Sequence, residues 1–310
     1  MELHTILGAN GTIAKELLPI LLSNNKEVRL VSRSPKSMQG VQTRQANVLN
    51  FEELYDALEG SSYVYMVIGL AYNHKIWQRD WLKIMQNVIR ACKATKAKLI
   101  YFDNVYMYGK VNGVMTEETP YNPCSKKGKV RAEVARLLQT EMKAGTIDAI
   151  IVRAVDFYGP DVIEKSIIGM MVFANLKKGK SAQWLVNADL PRALSYVPDA
   201  AKGMYLLAIS PNSYGQVWHL PTAQPTLTGR EFIKLSVKYM HASDKVSVLP
   251  KWFLNLFGLF NKDIKEICEM LYQNEFPFQF SSEKFERAFH FVPTSYEEGI
   301  KNTAESFLNN

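Results

Sequence analysis

The chain has 310 residues and a formal net charge of +7, and 47% of its residues are hydrophobic, a composition that excludes disordered and collagen-like proteins. Its length corresponds to one large or two coupled domains. Its apolar runs are shorter than the roughly 20 residues of a membrane helix, and its first residues lack the features of a secretory signal. The three cysteines form neither a CxxC pair nor an even disulfide set. These features predict a cytoplasmic protein without a membrane partner.

The basic excess is mild and contains no long tract. Its two dense spots lie at residues 126–129 and 177–180, whereas nucleic-acid binding requires a basic stripe or a reading motif. The five histidines show no metal-ligand spacing. We therefore predict no nucleic-acid partner and no metal, and we attribute the positive charge to an anionic small-molecule ligand such as a phosphorylated cofactor.

Strand-like and helical segments alternate through the first half of the chain. The strand-like runs lie at residues 3–7, 27–32, 63–68, 99–102 and 148–153. The helical patterns between them lie at residues 15–23, 51–59, 77–94 and 128–143. Strands that alternate with helices indicate a parallel sheet covered on both faces, and right-handed connections make that sheet doubly wound.

The regular alternation fades after about residue 155. A short strand is predicted at residues 215–220, and helices are predicted at residues 198–209 and 228–240. Residues 252–272 mix aromatic and charged side chains, which indicates a pair of packed helices or, as the alternative, a helix on a membrane surface. We expect this half to form a smaller lobe with some elements that return to the sheet.

A glycine turn joins the first strand to the first helix. The segment GANGTIA, residues 8–14, follows the strand and opens the helix, which is the context in which such glycines bind a dinucleotide. Gly8 permits the tight turn, Gly11 lets the backbone approach a pyrophosphate, and Ala14 permits close packing of helix on strand. We therefore predict an α/β, doubly wound parallel (Rossmann) sheet with a dinucleotide site at this turn.

The end of the second strand indicates which dinucleotide binds. An NAD site usually carries an acidic residue there, but this strand ends in VSRS. Arg33 is suited to pair with a 2′-phosphate, and Ser32 or Ser34 is suited to donate a hydrogen bond to it. NADP is therefore the predicted cofactor, with NAD as the alternative. The predicted domains are an NADP-binding Rossmann domain at residues 1–155 and a mainly substrate-binding lobe at residues 156–310.

Several motifs occur in an order that resembles the short-chain dehydrogenase/reductase superfamily, and in particular its extended branch of nucleotide-sugar epimerases and dehydratases. Besides the glycine turn, the matching segments are NVLN at 47–50, VIGLA at 67–71, FDNVYMYG at 102–109, TEETP at 116–120, RAVDFYGP at 153–160, YVPD at 196–199, FSSEKF at 280–285 and PTSYEEG at 293–299. The resemblance implies a cofactor site made of Gly8, Asn10, Gly11, Thr12, Ile13, Ser32, Arg33, Asn47, Val48, Gly69 and Lys129.

The catalytic positions depart from the pattern of this family. The superfamily uses Tyr-x-x-x-Lys, in which the lysine holds the cofactor ribose and lowers the pKa of the tyrosine. When Glu133 is matched to the glutamate that follows this motif, Lys129 takes the lysine place and Ser125 takes the tyrosine place. Asn104 stands at the upstream hydroxyl position. Because a serine is a far weaker acid than a phenol, we do not expect the usual proton transfer through Ser125.

Three interpretations of this departure stay open. The first is a reductase or epimerase that uses another acid, for which Tyr106 or Tyr108 is the candidate. The second is an enzyme in which Lys129 or an ordered water transfers the proton while Asn104 and Ser125 orient a carbonyl. The third is a non-catalytic NADP-binding protein that senses the redox ratio or acts as a scaffold.

The resemblance also suggests where the substrate binds. Arg192 lies near the position where the extended branch often holds a substrate phosphate, with a simple salt bridge as the alternative. Tyr158, in the RAVDFYGP segment, is the second predicted substrate-binding residue. The predicted partner is a small molecule, either a sugar nucleotide or a small carbonyl compound.

Two helical segments, 77–94 and 128–143, resemble those that form a dimer contact in the extended branch. The first has an apolar stripe at Trp81, Ile84, Met85 and Val88. We therefore expect a homodimer. The alternative is a monomer in which the stripe covers the sheet.

Overall fold

The computed structural model describes residues 2–160, 162 and 166–309. Its internal contacts divide the chain into two compact units. The first unit contains the residues up to 107, 126–153 and 200–218, and the second contains residues 108–125, 154–199 and 219–310. The chain thus leaves the first unit and returns to it twice, and residues 108–125 belong to the second unit although they precede residue 155.

Strands and helices alternate through the described residues. The strands are β1 (Leu3–Leu7), β2 (Glu27–Ser32), β3 (Gln42–Gln45), β4 (Tyr63–Met66), β5 (Lys98–Asp103), β6 (Val114–Met115), β7 (Ala149–Arg153), β8 (Phe157–Tyr158), β9 (Ala182–Leu185), β10 (Ser195–Tyr196), β11 (Val217–His219), β12 (Val246–Leu249) and β13 (Gln279–Phe280). The α-helices are α1 (Thr12–Ser23), α2 (Phe51–Leu58), α3 (His74–Thr95), α4 (Lys126–Lys143), α5 (Ala174–Lys177), α6 (Val197–Ile209), α7 (Gly229–Met240), α8 (Lys251–Gly258), α9 (Lys262–Cys268), α10 (Glu283–Phe289) and α11 (Tyr296–Asn309).

The central sheet has seven strands in the order β11-β7-β5-β4-β1-β2-β3. The chain runs outwards from β1 to β3 and then crosses to β4 on the other side of β1. The pairs that β1 forms with β2 and β4 are parallel, and so are β2–β3, β4–β5 and β5–β7. This confirms the predicted doubly wound parallel sheet. The reversal between β1 and β4 is a topological switch point, where open sheets of this kind bind ligands beyond their carboxyl ends.

In the central sheet the sequence pattern located six of the seven strands and missed the polar strand β3, and it predicted none of the short strands of the second unit. β1 and β2 have the predicted bounds, and β4 ends at Met66, two residues before the end of the predicted run. β3 has the sequence QTRQ, whose side chains are mostly exposed, so it has no apolar alternation to reveal it. Its pairing with β2 places it at the edge of the sheet, where backbone hydrogen bonds suffice to hold it.

The second unit has its own apolar core. The core is built around large aromatic side chains, including Phe173, Trp184, Phe232 and Phe307. Three short parallel pairs, β8–β10, β9–β12 and β6–β13, lie in this unit. The predicted pair of helices at 252–272 corresponds to α8, which begins one residue earlier, and α9. Within the described residues, no helix is both long and apolar enough to span a membrane.

The apolar stripe of α3 is buried within the first unit. Trp81 is 2% exposed, and Ile84, Met85 and Val88 have no exposed surface. α3 packs against α4 and the sheet, so the stripe is used inside one copy of the chain. The homodimer stays a prediction, but this stripe is buried within one copy of the chain and is not available as a contact surface for a second copy.

A buried histidine in β1 makes the fold sensitive to acid. The Nδ1 atom of His4 lies 3.0 Å from the hydroxyl of Tyr65, and its Nε2 atom has no hydrogen-bond partner among the described residues. Burial, with a further contribution from the positive charge of Lys26, lowers the pKa of His4 from 6.5 to about 4. The unfolded chain therefore takes up a proton below pH 6.5, whereas the folded chain does so only near pH 4.

We expect the free energy of unfolding to fall as the pH is lowered from 6.5 to 4, by up to about 3 kcal/mol for this residue. The substitution His4→Gln should remove most of this loss, measured by urea unfolding at a series of pH values. His290→Gln, at an exposed position, is the matched control and should keep the wild-type pH dependence. Equal pH dependence in the wild type and His4→Gln would show that His4 is not responsible.

Candidate cofactor and catalytic site

The glycine turn follows β1 and lies against the residue that follows β4. Gly8 has a φ of +96°, and a Cβ atom there would lie 2.9 Å from the carbonyl oxygen of Val67. A Cβ atom at Gly11 would lie 3.1 Å from the carbonyl oxygen of Gly8. The N–H of Gly8 donates to the carbonyl of Val31 at 3.0 Å, which joins the turn to β2. This geometry requires glycine at position 8 and makes the space at Gly11 tight for a side chain, and the two glycines leave the backbone of the turn bare at both positions.

The first turn of α1 is suited to bind an anion. Gly11 is the N-cap residue of the helix and makes no side-chain hydrogen bond to its first N–H groups. The first turn, which includes the predicted residues Thr12 and Ile13, has no acidic residue. Helix N-termini attract negative charge through their N–H groups and the helix dipole. The residues present therefore fit the pyrophosphate of a dinucleotide.

The end of β2 contributes an exposed arginine to this edge of the sheet. The Nδ2 atom of Asn10 donates to the carbonyl of Ser34 at 3.1 Å, and the N–H of Ser34 donates to the hydroxyl of Ser32 at 3.3 Å. Arg33 lies between these serines and is exposed. The predicted residues Asn10, Ser32 and Arg33 are therefore close together, next to the glycine turn.

The remaining loop residues of the predicted cofactor site are held by local hydrogen bonds. The Oδ1 atom of Asn47 accepts a hydrogen bond from the N–H of Leu49 at 3.1 Å, and its own N–H donates to Glu53 at 2.8 Å. The carbonyl of Val48 accepts a hydrogen bond from the side chain of Asn87 at 3.0 Å. Gly69 follows β4 and is exposed.

The rotation of α4 turns a different lysine inward from the one predicted. Lys129 is exposed, whereas Lys127 is fully buried. Arg131 lies one turn after Lys127 and on the same side of the helix, and its Nε atom donates to Asp103 at 2.8 Å. Asp103 ends β5, so this side of α4 faces the sheet. The arrangement favours Lys127 over Lys129 as the lysine at the carboxyl ends of the strands.

Two phenols from neighbouring loops meet in the first unit. The hydroxyl groups of Tyr72 and Tyr106 lie 3.3 Å apart, and the Nζ atom of Lys127 lies 4.3 Å from the centre of the Tyr72 ring. The side chain of Asn104 accepts a hydrogen bond from the N–H of Tyr106 at 3.0 Å and so shapes the loop. The structure thus brings the predicted Asn104 and Tyr106 together and adds Tyr72 and Lys127, which the sequence reading missed.

The other predicted residues lie in the second unit and are buried. Ser125 is 4% exposed. Arg192 is 6% exposed, and its guanidinium pairs with Asp156 and donates to the carbonyl of Gln273 at 2.5 Å. These contacts correspond to the salt bridge that was the alternative to a substrate clamp. Tyr158 is 1% exposed and packs in the aromatic core, so packing is the role that its contacts support.

No group of three or more metal-binding side chains is found among the described residues. A family model described as the NAD dependent epimerase/dehydratase family matches residues 4–219. A curated relative, the uncharacterized protein y4nL of Sinorhizobium fredii (strain NBRC 101917 / NGR234), is 30% identical over 139 residues. That match spans 44% of this chain and 38% of the relative, so it covers less than half of either protein.

Solved structures resemble the whole chain. A dTDP-glucose 4,6-dehydratase of Bacillus anthracis str. Ames, in complex with NAD, superimposes with a TM-score of 0.82 at 14% identity and covers 100% of this chain and 97% of that chain. A UDP-glucuronic acid 4-epimerase of Bacillus cereus, in complex with NAD, gives a TM-score of 0.78 at 19% identity, with 100% and 99% covered. A UDP-glucose 4-epimerase of Thermus thermophilus, also in complex with NAD, gives 0.78 at 18% identity, with 99% of each chain covered. At these identities the likeness establishes the fold.

The contact between the glycine turn and Val67 can be tested by adding one methyl group. Gly8 and Gly40 both have positive φ, but a Cβ atom at Gly40 would meet no atom within 4 Å. We expect Gly8→Ala to lower the free energy of unfolding by at least about 1 kcal/mol more than Gly40→Ala, because only the first adds a clash to the backbone strain. Urea unfolding of the two variants measures this difference, and equal losses would contradict the tight approach to Val67.

Proposed function

Because the chain belongs to the NAD dependent epimerase/dehydratase family, we propose that it binds a nicotinamide dinucleotide and transfers hydride to or from a small hydroxyl or carbonyl compound. The observation that carries the proposal is the bare glycine turn of residues 8–14, which lies at the switch point of the sheet. Similar proteins described above are named for nucleotide sugars, and we extend this substrate class to the present chain, with small carbonyl compounds as the second class to test.

The proposed site uses residues of the first unit. The N–H groups at the start of α1, with Gly8 and Gly11, would hold the pyrophosphate, and Lys127 would reach the nicotinamide ribose in place of the predicted Lys129. The bound nicotinamide would supply or accept the hydride. Side chains of the protein would orient the substrate and would donate or accept the proton that accompanies the hydride.

The proposed cofactor is NADP, with NAD as the alternative. The support comes from the end of β2, where Arg33 is exposed and no carboxylate follows Ser32. Arg44 of β3 pairs in register with Val31, so a second arginine lies on the neighbouring strand. A guanidinium forms strong paired hydrogen bonds with a phosphate, and an acidic residue would repel it.

We expect Arg33→Ala to weaken the binding of NADPH by about 10- to 100-fold, the loss of one charge-assisted hydrogen-bonding group, and to leave NADH binding within about twofold. Fluorescence titration of both cofactors measures the two affinities. Arg287→Ala removes an exposed arginine of α10 and should change neither. Equal loss for both cofactors, or no loss for either, would contradict a role in 2′-phosphate binding.

The proposed active site lacks the tyrosine of the Tyr-x-x-x-Lys motif, and Ser125 does not replace it. Ser125 is buried, and its hydroxyl is too weak an acid for efficient proton transfer at neutral pH. We therefore expect Ser125→Ala to keep turnover within about threefold of the wild type, since a true proton donor is worth about 10²- to 10⁴-fold. Ser213→Ala removes another buried hydroxyl and serves as the control for stability.

The experiment that tests the proposed function is a screen of sugar nucleotides and small carbonyl compounds with NADPH and NADH, preceded by cofactor titration. Turnover of at least one compound supports the enzyme. Absence of cofactor binding would overturn the proposal. Tight NADPH binding without any turnover would favour the non-catalytic redox sensor instead. Loss of a robust rate in Ser125→Ala alone would assign the proton to that serine.

A further inference from the structure

The proposed function leaves open which group supplies the proton, and the first unit holds a constellation suited to do so. The hydroxyls of Tyr72 and Tyr106 lie 3.3 Å apart, within reach of a hydrogen bond. Tyr72 is 38% exposed and so has access to solvent, whereas Tyr106 is half-buried. The two phenols therefore form a short path from an interior position to water.

A tryptophan fixes the relative positions of these phenols. The ring of Trp77 stacks on Tyr106 with a centroid distance of 6.2 Å and an interplanar angle of 14°. It meets Tyr72 edge-on at 5.7 Å, and its Nε1 atom donates to the carbonyl of Ala71 at 3.0 Å. One buried side chain thus contacts both tyrosines and the loop that carries Tyr72.

A buried ammonium group lies on the face of the outer phenol. The Nζ atom of Lys127 is 4.3 Å from the centre of the Tyr72 ring, and the residue has no exposed surface. A desolvated cation at this distance interacts favourably with the ring. Its positive charge also favours negative charge on this phenol, because opposite charges attract, although the exposure of Tyr72 to solvent weakens the interaction. The Arg131–Asp103 pair one turn later holds Lys127 in this orientation.

We propose that Tyr106 exchanges the proton with the substrate oxygen, that Tyr72 carries this proton to and from solvent, and that Lys127 stabilises the phenolate state of the pair, an inference that rests on the proposed function. In the direction of reduction, the bound nicotinamide would supply the hydride, with its two electrons, to the carbonyl carbon. The carbonyl oxygen takes the proton of Tyr106 as its O–H bond breaks. The proton of Tyr72 then moves to Tyr106, and water reprotonates Tyr72.

The first test needs neither cofactor nor substrate. Tetranitromethane nitrates the phenolate form of tyrosine, and peptide mass mapping gives the rate at each position. We expect Lys127→Met to slow the nitration of Tyr72 by about tenfold, the effect of losing one desolvated ammonium–ring contact. Lys127→Arg should restore the rate because it keeps the charge. Lys129→Met and the rate at Tyr55, half-buried on α2, are the controls and should not change.

The second test uses the compound that reacts in the substrate screen. Tyr106→Phe should lower turnover by about 10²- to 10⁴-fold and keep NADPH affinity within about twofold, since only the proton-donating hydroxyl is removed. Tyr72→Phe should lower turnover and leave the affinity unchanged as well. Unfolding midpoints confirm that both variants fold.

The outcomes separate this inference from the proposed function. Unchanged nitration in Lys127→Met, or retained turnover in Tyr106→Phe, would overturn the relay even if the enzyme is active. NADPH binding with no reaction in the whole screen would also overturn it. If NADPH does not bind, the proposed function fails, while slowed nitration in Lys127→Met still supports the unit of lysine and phenols.

Discussion

A buried ion pair between β5 and α4 decides which side chains face the carboxyl ends of the strands. Asp103, the last residue of β5, has no exposed surface, and the Nη2 atom of Arg131 lies 2.5 Å from its carboxylate. Removing Asp103 is costly, by about 3–5 kcal/mol, because it would leave Arg131 buried without compensation, together with Arg153, whose Nε atom lies 3.6 Å from the same carboxylate. The pair therefore fixes the rotation of α4 about its axis, and with it the direction in which Lys127 points.

The sequence predicts those strands and helices whose pattern lies within a short stretch of residues. Buried parallel strands are short and rich in apolar residues, and β1 and β2 were found with their correct bounds because each contains three buried apolar side chains. The start of α3 was predicted three residues late, because the signal at Asn73 is a single capping side chain that accepts hydrogen bonds from Lys75 and Ile76. β3 was missed because its pairing partner, not its own sequence, makes it a strand.

The candidate site likewise has one part that the sequence predicts locally and one part that depends on contacts between distant residues. The glycine turn was predictable because a positive φ and a lack of room for a Cβ atom each select glycine at a single position. Such glycines can be recognised directly in the sequence. The choice of the lysine that α4 buries was not predictable, because the run Lys126-Lys127-Gly128-Lys129 offers three candidates within one turn of helix. Matching Glu133 selects Lys129, but the rotation of the helix is set by Asp103, 28 residues before Arg131. Lys127 and Lys129 differ by about 200° around the axis, so the choice exchanges a buried side chain for an exposed one.

The two phenols come from the loops after β4 and β5, and this origin explains why the sheet can present them without a tyrosine on α4. β4 and β5 are adjacent and parallel, with Met66 paired to Tyr101, so the loops that follow them leave the sheet at one edge. Tyr72 follows the last residue of β4, Met66, in one of these loops, and Tyr106 follows the last residue of β5, Asp103, in the other. A phenol can thus reach this edge from the strand ends, provided that a helix supplies the cation beside it. In this chain the lysine, Lys127, lies on α4, and the two tyrosines lie on the loops after β4 and β5.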